Sequence, residues 1–420
     1  VPCPGNSNNN DQQAVTWKRR WVLEKKTAVQ FAVLCGVPFV MVLGNSMLIP
    51  VFPQMERAMG LTQFQVGLIV TFFSVPAGIL IPLAGFLSDQ YGRKPIMVPA
   101  LFIYGAGGLI SGLAAITLEN PYPLLLAGRV VQGMGAGGTY QLAMALTGDI
   151  FQTSERTKAL GLLEAFNGLG KVVSPILGSL IALISWYAPF FAYSLITFPI
   201  AVGVWLLVKE KNEELEKQSF QEYWENLKAV FSEKAKVLLS SYFVGMASLF
   251  ILFGVLSYIS DFLESSHNLF GLKKGFVIAI PVFSMATTSY LSGAYLADRK
   301  ALWKWVVVGG MLLSTVALVL LPLFSELIPT MITLFFLGIS IGIVLPPINT
   351  LITGAASAKR RGIVTCLYGT VRFFGVAIGP PTFGLAIQYG RWAMFLGAAA
   401  VSAVALVIAL LFVTPPQSEE

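Results

Sequence analysis

Charge is scarce in this chain. Only 12% of its 420 residues are Asp, Glu, Lys or Arg, where a soluble domain has about a quarter. Hydrophobic residues make up 55%, and the mean hydropathy is +0.74. A soluble globular protein is thereby excluded. Histidine is represented by His267 alone, and the three cysteines (Cys3, Cys35, Cys366) show no metal-ligand spacing. An integral-membrane enzyme acting on lipids needs a nucleophile, a metal or an acid–base cluster, and none is visible. No metal or other cofactor is expected. No ring of like residues or pore repeat suggests a passive channel.

Long apolar runs are what the chain has in abundance. Twelve of them, at roughly 28–50, 64–88, 95–117, 122–148, 158–185, 188–208, 237–264, 274–297, 304–325, 329–354, 361–388 and 390–413, reach the ~20 residues that cross hydrocarbon as a helix. The first is too long for a cleavable signal and follows a polar, basic arm, so it reads as a span. With twelve spans the connecting segments alternate between two sides. One side holds 21 of the 28 basic residues and the other only Arg57, Lys273, Lys274 and Arg391; Arg129, Lys171 and Arg372 fall inside spans. The positive-inside rule then predicts a multi-pass plasma-membrane protein with both termini cytoplasmic. The net charge of +7 reflects that topology. The bilayer is the expected partner, and nucleic acid is not.

The predicted organisation is a cytoplasmic arm (1–27), a six-helix bundle (28–208), a linker (209–236), a second six-helix bundle (237–413) and a cytoplasmic tail (414–420). In the linker Phe220, Tyr223, Trp224, Leu227, Val230 and Phe231 recur at helical spacing. This predicts an amphipathic helix on the membrane surface, or equally a solvated linker helix. The bundles share a signature: Gly161, Gly168, Lys171 and Gly178 recur 201 residues later as Gly362, Gly369, Arg372 and Gly379. Glycine matches alone would be weak, but a basic residue inside a span is rare. Spans five and eleven therefore read as pseudo-equivalent, which places a shared site near the midplane.

Four segments carry more than apolar bulk. Gly85-Phe-Leu-Ser-Asp89-Gln-Tyr-Gly92-Arg93-Lys94 lies between spans two and three. Gly128-Arg129-Val-Val-Gln132-Gly133 lies in span four, Gly170-Lys-Val-Val-Ser174-Pro175-Ile-Leu-Gly178 in span five, and Gly44-Asn45-Ser46-Met-Leu-Ile-Pro50 in span one. Together they resemble the major facilitator superfamily, in particular its twelve-span drug:proton antiporter branch of bacterial multidrug efflux type. The resemblance covers nearly all of 28–413. It departs from the family pattern at Gln90, where a basic residue is usual, at Ser174 and Ser179, which replace glycines, and at Asn45, where many relatives carry an acid. Ala297-Asp298-Arg299-Lys300 looks like a decayed second copy of the first motif.

The resemblance implies two pseudo-symmetric six-helix bundles working by alternating access, driven by a proton gradient and without a cofactor. It implies a conformational switch of Gly85, Asp89, Gly92, Arg93 and Asp149, with Asp89 at the start of span eleven and Arg93 paired to Asp149. It makes Gly170, Ser174, Pro175 and Gly178 an antiporter motif and ties Arg129 to proton coupling. Read as residues alone, Gly85 and Gly92 allow tight turns, Arg93 and Lys94 can serve topology, and Arg129 can simply hold helices together through carbonyls.

Ionisable groups inside spans are functional candidates. Glu164 and Lys171, seven residues apart, share a helix face about 10 Å apart, and Arg372 is expected at similar depth. Glu164 could cycle a proton as its surroundings alternate between wet and dry, or be a static packing partner. Asp261 and Glu264 read as a gating or proton-uptake pair or as a solvated face. Asn45, Phe72, Phe73, Tyr140, Gln141, Phe166, Asn167, Tyr193, Tyr258, Tyr368 and Phe373 are candidate substrate contacts or helix packing. With Asn45 for an acid and Lys171 and Arg372 in the wall, the cavity should favour anionic, zwitterionic or neutral amphiphiles over cations. The function expected is proton-coupled export of such molecules by a monomer. The alternatives are a proton symporter importing a sugar, organic acid or peptide, and a lipid or siderophore exporter.

Overall fold

A computed structural model describes residues 25–151, 153–210, 220–296, 299–356 and 360–413. The N-terminal arm up to Glu24, residues 211–219 of the linker, Asp298 of the decayed second motif and the C-terminal tail lie outside the described residues. Among those described the protein is all-helical. The helices are α1 (Lys25–Ser46), α2 (Phe52–Met59), α3 (Gln63–Tyr91), α4 (Arg93–Thr117), α5 (Tyr122–Gly137), α6 (Tyr140–Ile150), α7 (Thr153–Ile181) and α8 (Ala188–Leu207). They continue with α9 (Phe220–Ser265), α10 (Gly271–Leu296), α11 (Trp303–Leu320), α12 (Leu327–Gly354), α13 (Arg361–Ala386) and α14 (Arg391–Phe412).

Among the described residues, eleven helical segments are individually long and apolar enough to cross a membrane. The fourth expected span is broken into α5 and α6 at Gly138–Thr139. The break leaves few backbone groups unpaired: Gly138 and Thr139 donate to the Gly135 and Ala136 carbonyls, and the Thr139 hydroxyl bonds Ala136 O at 2.7 Å. Backbone at membrane depth tolerates such breaks only when its polar groups are satisfied within protein. Alternate helix ends define a basic face, bearing the Gly92 turn and the start of α13, and a far face, bearing the α2–α3 turn. On the far face Thr62 and Gln65 form a reciprocal capping box that starts α3.

Two six-helix halves follow the expected pseudo-symmetry. A Cβ at Gly178 would lie 2.1 Å from the Met47 carbonyl, and one at Gly379 would lie 2.6 Å from the Phe250 carbonyl. So α7 lies backbone-to-backbone against the end of α1 just as α13 lies against α9. The halves meet along two matching seams, α3 with α13 and α7 with α10. Near the far face the seams are tight: Gly384 abuts Gln63 and Phe64, and Gly275 abuts Pro175 and Ile176. Toward the basic face α7 stands free. A Cβ at Gly161 or Gly168 would meet nothing within 4 Å. The central cavity therefore opens toward the basic face.

The linker helix is joined to the bundle. It runs from Phe220 into the seventh span through a kink at Lys234 (φ −129°, ψ 21°). Its apolar face turns onto protein: Val230 is buried beside Leu238 and Tyr242, and the Tyr223 ring lies 5.5 Å from Phe86. Arg360, at the head of α13, donates to Asn226 at 3.0 Å. The helix thus bridges α3 and α13 at the basic face.

Gly178→Val is expected to lower the thermal midpoint of detergent-purified protein, by the equivalent of about 1–3 kcal/mol of overpacking. Gly161→Ala, facing open space, should leave the midpoint unchanged.

Candidate functional site

The cavity lies between the halves. α7 contributes Glu164, Asn167 and Lys171 from one face, α1 contributes Asn45 and Ser46, and α6 contributes Tyr140 and Gln141. From the other half come Arg372 and Phe373 of α13, Phe253 of α9 and Met285 of α10. Lys171 and Arg372, the pair predicted from the internal repeat, therefore face one space. Glu164 accepts a hydrogen bond from the Tyr140 hydroxyl and is exposed to the cavity. Lys171 lies within electrostatic reach of both Glu164 and Arg372. The apolar remainder of the wall includes Phe73 and Phe373, whose rings meet at 6.5 Å.

Arg129 lies behind this wall, fully buried, and not in it. Its Nε donates to Ile69 O at 3.0 Å, and its Nη1 donates to Gly44 O at 2.8 Å and Gln132 Oε1 at 2.5 Å. Nη2 donates to Asn45 Oδ1, and the guanidinium covers the Phe73 ring at 4.4 Å. One charged side chain thereby joins α1, α3 and α5. Every one of these hydrogen-bond acceptors is neutral. Asn45 links it to the cavity, and its own Nδ2 donates to Ser74 Oγ at 3.0 Å. An acid at position 45 would have neutralised Arg129; the amide leaves the positive charge uncancelled behind a wall already holding Lys171 and Arg372.

Several expected lining residues take other places. Tyr193 is fully buried beside Tyr104, donating to Gln132 Oε1 at 3.1 Å, so it supports the Arg129 site from behind. Tyr368 stacks on Tyr242 and carries Arg372 over its ring at 5.4 Å, so it orients a cavity residue without lining the cavity. Phe166 is half-buried and packs against the hydrophobic core. Tyr258 lies toward the far face, in a separate small cavity with Glu56 and Gln63, packed on Phe262 and Phe395. Phe72 is outside the cavity wall, with its side chain partly exposed. Asp261 is also at the far-face end, electrostatically coupled to Arg57 and Lys274 and away from Glu164. These placements share one cause: aromatic and polar residues at helical spacing serve packing and lining equally well, and only the neighbouring helices decide.

The fifth-span motif acts through its backbone. Gly170 sits against Phe39, Ser174 bonds back to the Gly170 carbonyl, and Pro175 O meets α10 at Gly275. With Gly178 on Met47, this stretch fits α7 between α1 and the other half.

At the basic face Arg93 bonds Asp89 and Ser88 and lies 3.6 Å from Asp149. The expected Arg93–Asp149 pairing is present. Asp89 engages Arg93, and no bond from it to the start of α13 occurs among the described residues. Gly85 is helical and lets α3 approach Cys366 of α13, where a Cβ would lie 3.1 Å from its sulfur; the tight turn expected there is at Gly92 alone (φ +100°). Glu210 is the residue that sequence reasoning missed. Its carboxylate accepts the Arg93 and Lys94 backbone N–H groups at 2.6 and 3.1 Å, and Lys94 Nζ donates to Val208 O at 2.7 Å. An acid here favours the positive end of α4, and it ties the end of α8 to the switch loop. The only signal was a carboxylate directly after an apolar run, in a segment crowded with other charges.

A family profile described as Major Facilitator Superfamily matches residues 34–380 and 238–420. This chain belongs to that superfamily of transporters. It is 39% identical over 389 residues to a bacillibactin exporter of Bacillus subtilis (strain 168), covering 92% of this chain and 97% of the relative. It is 25% identical to the quinolone resistance protein NorA of Staphylococcus aureus (strain COL), covering 89% and 94%. Among solved structures, a bacterial homolog of the human lysosomal transporter Spinster, in an inward-facing and occupied conformation, superposes with a TM-score of 0.75 at 16% identity. That likeness, over 93% of this chain and 97% of the other, is one of fold.

Arg129→Met should destabilise purified protein by at least ~1.5 kcal/mol, the scale of one hydrogen bond from a charged donor, read as a drop in thermal midpoint. Lys171→Met, which faces water, should cause a smaller drop.

Proposed function

We propose that the protein is a proton-coupled antiporter that exports small anionic or zwitterionic amphiphiles across the plasma membrane by alternating access. The observation that carries this reading is the cavity itself. Lys171 and Arg372 line it, the uncompensated Arg129 stands behind it, and Glu164 is the acid within it. A field of this sign attracts anions and disfavours lipophilic cations, while the aromatic and methionine wall accepts apolar bulk. The similarity to a bacillibactin exporter favours a siderophore-like cargo over a generic drug.

In this reading the basic face is cytoplasmic, both chain ends lie on that side, and the protein acts as a monomer. Cargo enters from the cytoplasm through the opening beside α7. Glu164, held by Tyr140 and near Lys171, exchanges its proton as cargo arrives. A donor group on the cargo that occupies the Glu164 carboxylate displaces its proton, while the cargo's anionic group rests against Lys171 and Arg372. Cargo and proton thereby compete for Glu164, which is the requirement for antiport.

In inside-out vesicles, cargo uptake should depend on an imposed proton gradient and lower the internal acidity. Glu164→Gln should cut gradient-driven uptake at least about tenfold, the effect of ~1.4 kcal/mol, while leaving cargo-for-cargo exchange intact. Uptake in the opposite orientation only, or unchanged coupling in the variant, would reject the assignment. Replacing Lys171 and Arg372 with Gln should shift a fluorescent substrate panel from anions toward cations. A wild type that exports cations alone contradicts the charge argument.

A further inference from the structure

The far-face end of the seam carries a charge cluster assembled from both halves. Arg57 Nη2 donates to Glu264 Oε2 at 3.1 Å. Lys274 Nζ reaches the same oxygen at 3.7 Å and donates to the Pro50 carbonyl at 2.7 Å. Glu264 and Lys274 are only 3% and 1% exposed, which removes the solvated-face reading of Glu264. Two more carboxylates act on the same cations: Glu56, next to Arg57 on α2, and Asp261, one turn before Glu264 and hydrogen-bonded to Gln63.

Other charges at this end are engaged elsewhere or exposed. Arg391 of α14 donates to the Leu321 and Phe324 carbonyls, and His267 Nε2 lies 3.1 Å from Ser325 O. Lys273 and Glu326 are exposed. Three carboxylates therefore share two cations across the interface. A second observation points the same way: Glu264 Oε1 is buried and has no hydrogen-bond partner among the described residues.

A carboxylate withdrawn from water without a balancing charge is costly. One proton on the set of three makes the closed cluster neutral. When the halves part, Glu56 and Arg57 leave with the N-terminal half while Asp261, Glu264 and Lys274 stay with the other. Water then solvates each carboxylate, and the proton is no longer needed. We infer that the far-face seam is a proton-binding gate: closing it takes up one proton from water, shared among Glu56, Asp261 and Glu264, and opening it releases that proton.

The sign follows from linkage. The closed gate binds one proton more than the open gate, so lower pH favours closure and rising pH removes that advantage, by up to about tenfold in the closed-to-open ratio per pH unit. Given the orientation proposed above, acidity outside the cell would drive the return to the state open to the cytoplasm.

The test is a distance across the gate. Spin labels at Ala58 and Ser265, in full-length protein with Cys3, Cys35 and Cys366 replaced by Ser, would be measured by pulsed electron paramagnetic resonance in nanodiscs. No substrate and no gradient would be present. Between about pH 8 and about pH 5 the short-distance population should grow at the scale just given. Glu56→Gln and Asp261→Asn each leave two carboxylates on two cations, so both should hold the short distance across the whole range. A wild-type distribution indifferent to pH, or variants that titrate like wild type, overturns the gate. Two separate variants keep the test informative if one fails to fold. Because no transport is measured, loss of the antiport assignment and loss of this gate are separately detectable.

Discussion

A charge inside hydrocarbon must find a partner or water, and the architecture is organised around the ways this protein meets that demand. Arg129 meets it with neutral acceptors from three helices. Lys171, Arg372 and Glu164 meet it with a cavity that admits water. Glu264 meets it by pairing with Lys274 of its own half and with Arg57 of the other. The same rule thus produces a structural pin, a binding site and a closure.

The cavity and the closure lie at successive depths along the seams. Near the far face the backbones of the halves nearly touch, which brings Pro50 within reach of Lys274 and Gln63 against Gly384. At mid-depth side chains replace backbone contact and the cavity begins. Toward the basic face α7 moves away from the other half, and closure there is left to α3, α13 and the linker helix. Glu210 and Arg93 fasten the end of α8 to the switch loop within a single half. The switch loop is therefore braced internally and lies by the closed α3–α13 seam, while the seam at α7 is the one that opens.

Membrane class, helix positions and the duplicated halves were legible because long apolar runs and basic residues inside them are rare events. Glu164, Lys171 and Arg372 converged on one cavity for the same reason. Arg129 stands out in the sequence as a cation inside a span, yet sequence leaves open whether it serves proton coupling or holds helices together. Asn45 made sense only beside it. For Tyr193, Tyr258, Tyr368 and Phe166 the sequence leaves lining and packing open, because an aromatic ring satisfies a helix interface as readily as a cavity wall. The fourth span concealed its break, since Gly138 and Thr139 sit in an apolar run that reads as continuous. Glu210 was hidden among the many charges of the linker.

By itself the order of residues determined which segments are apolar enough to meet the bilayer and how the basic residues segregate among their connections, because hydrophobic length and charge placement act locally along the chain. It also determined that the two halves share a design, through a cation repeated in register. Which charges became neighbours was decided only by the tertiary structure. Arg57 and Glu264 are 207 residues apart and meet at 3.1 Å; no periodicity along a helix encodes that meeting. Contact across an interface depends on how two rigid surfaces fit, and that fit is a property of the assembled helices.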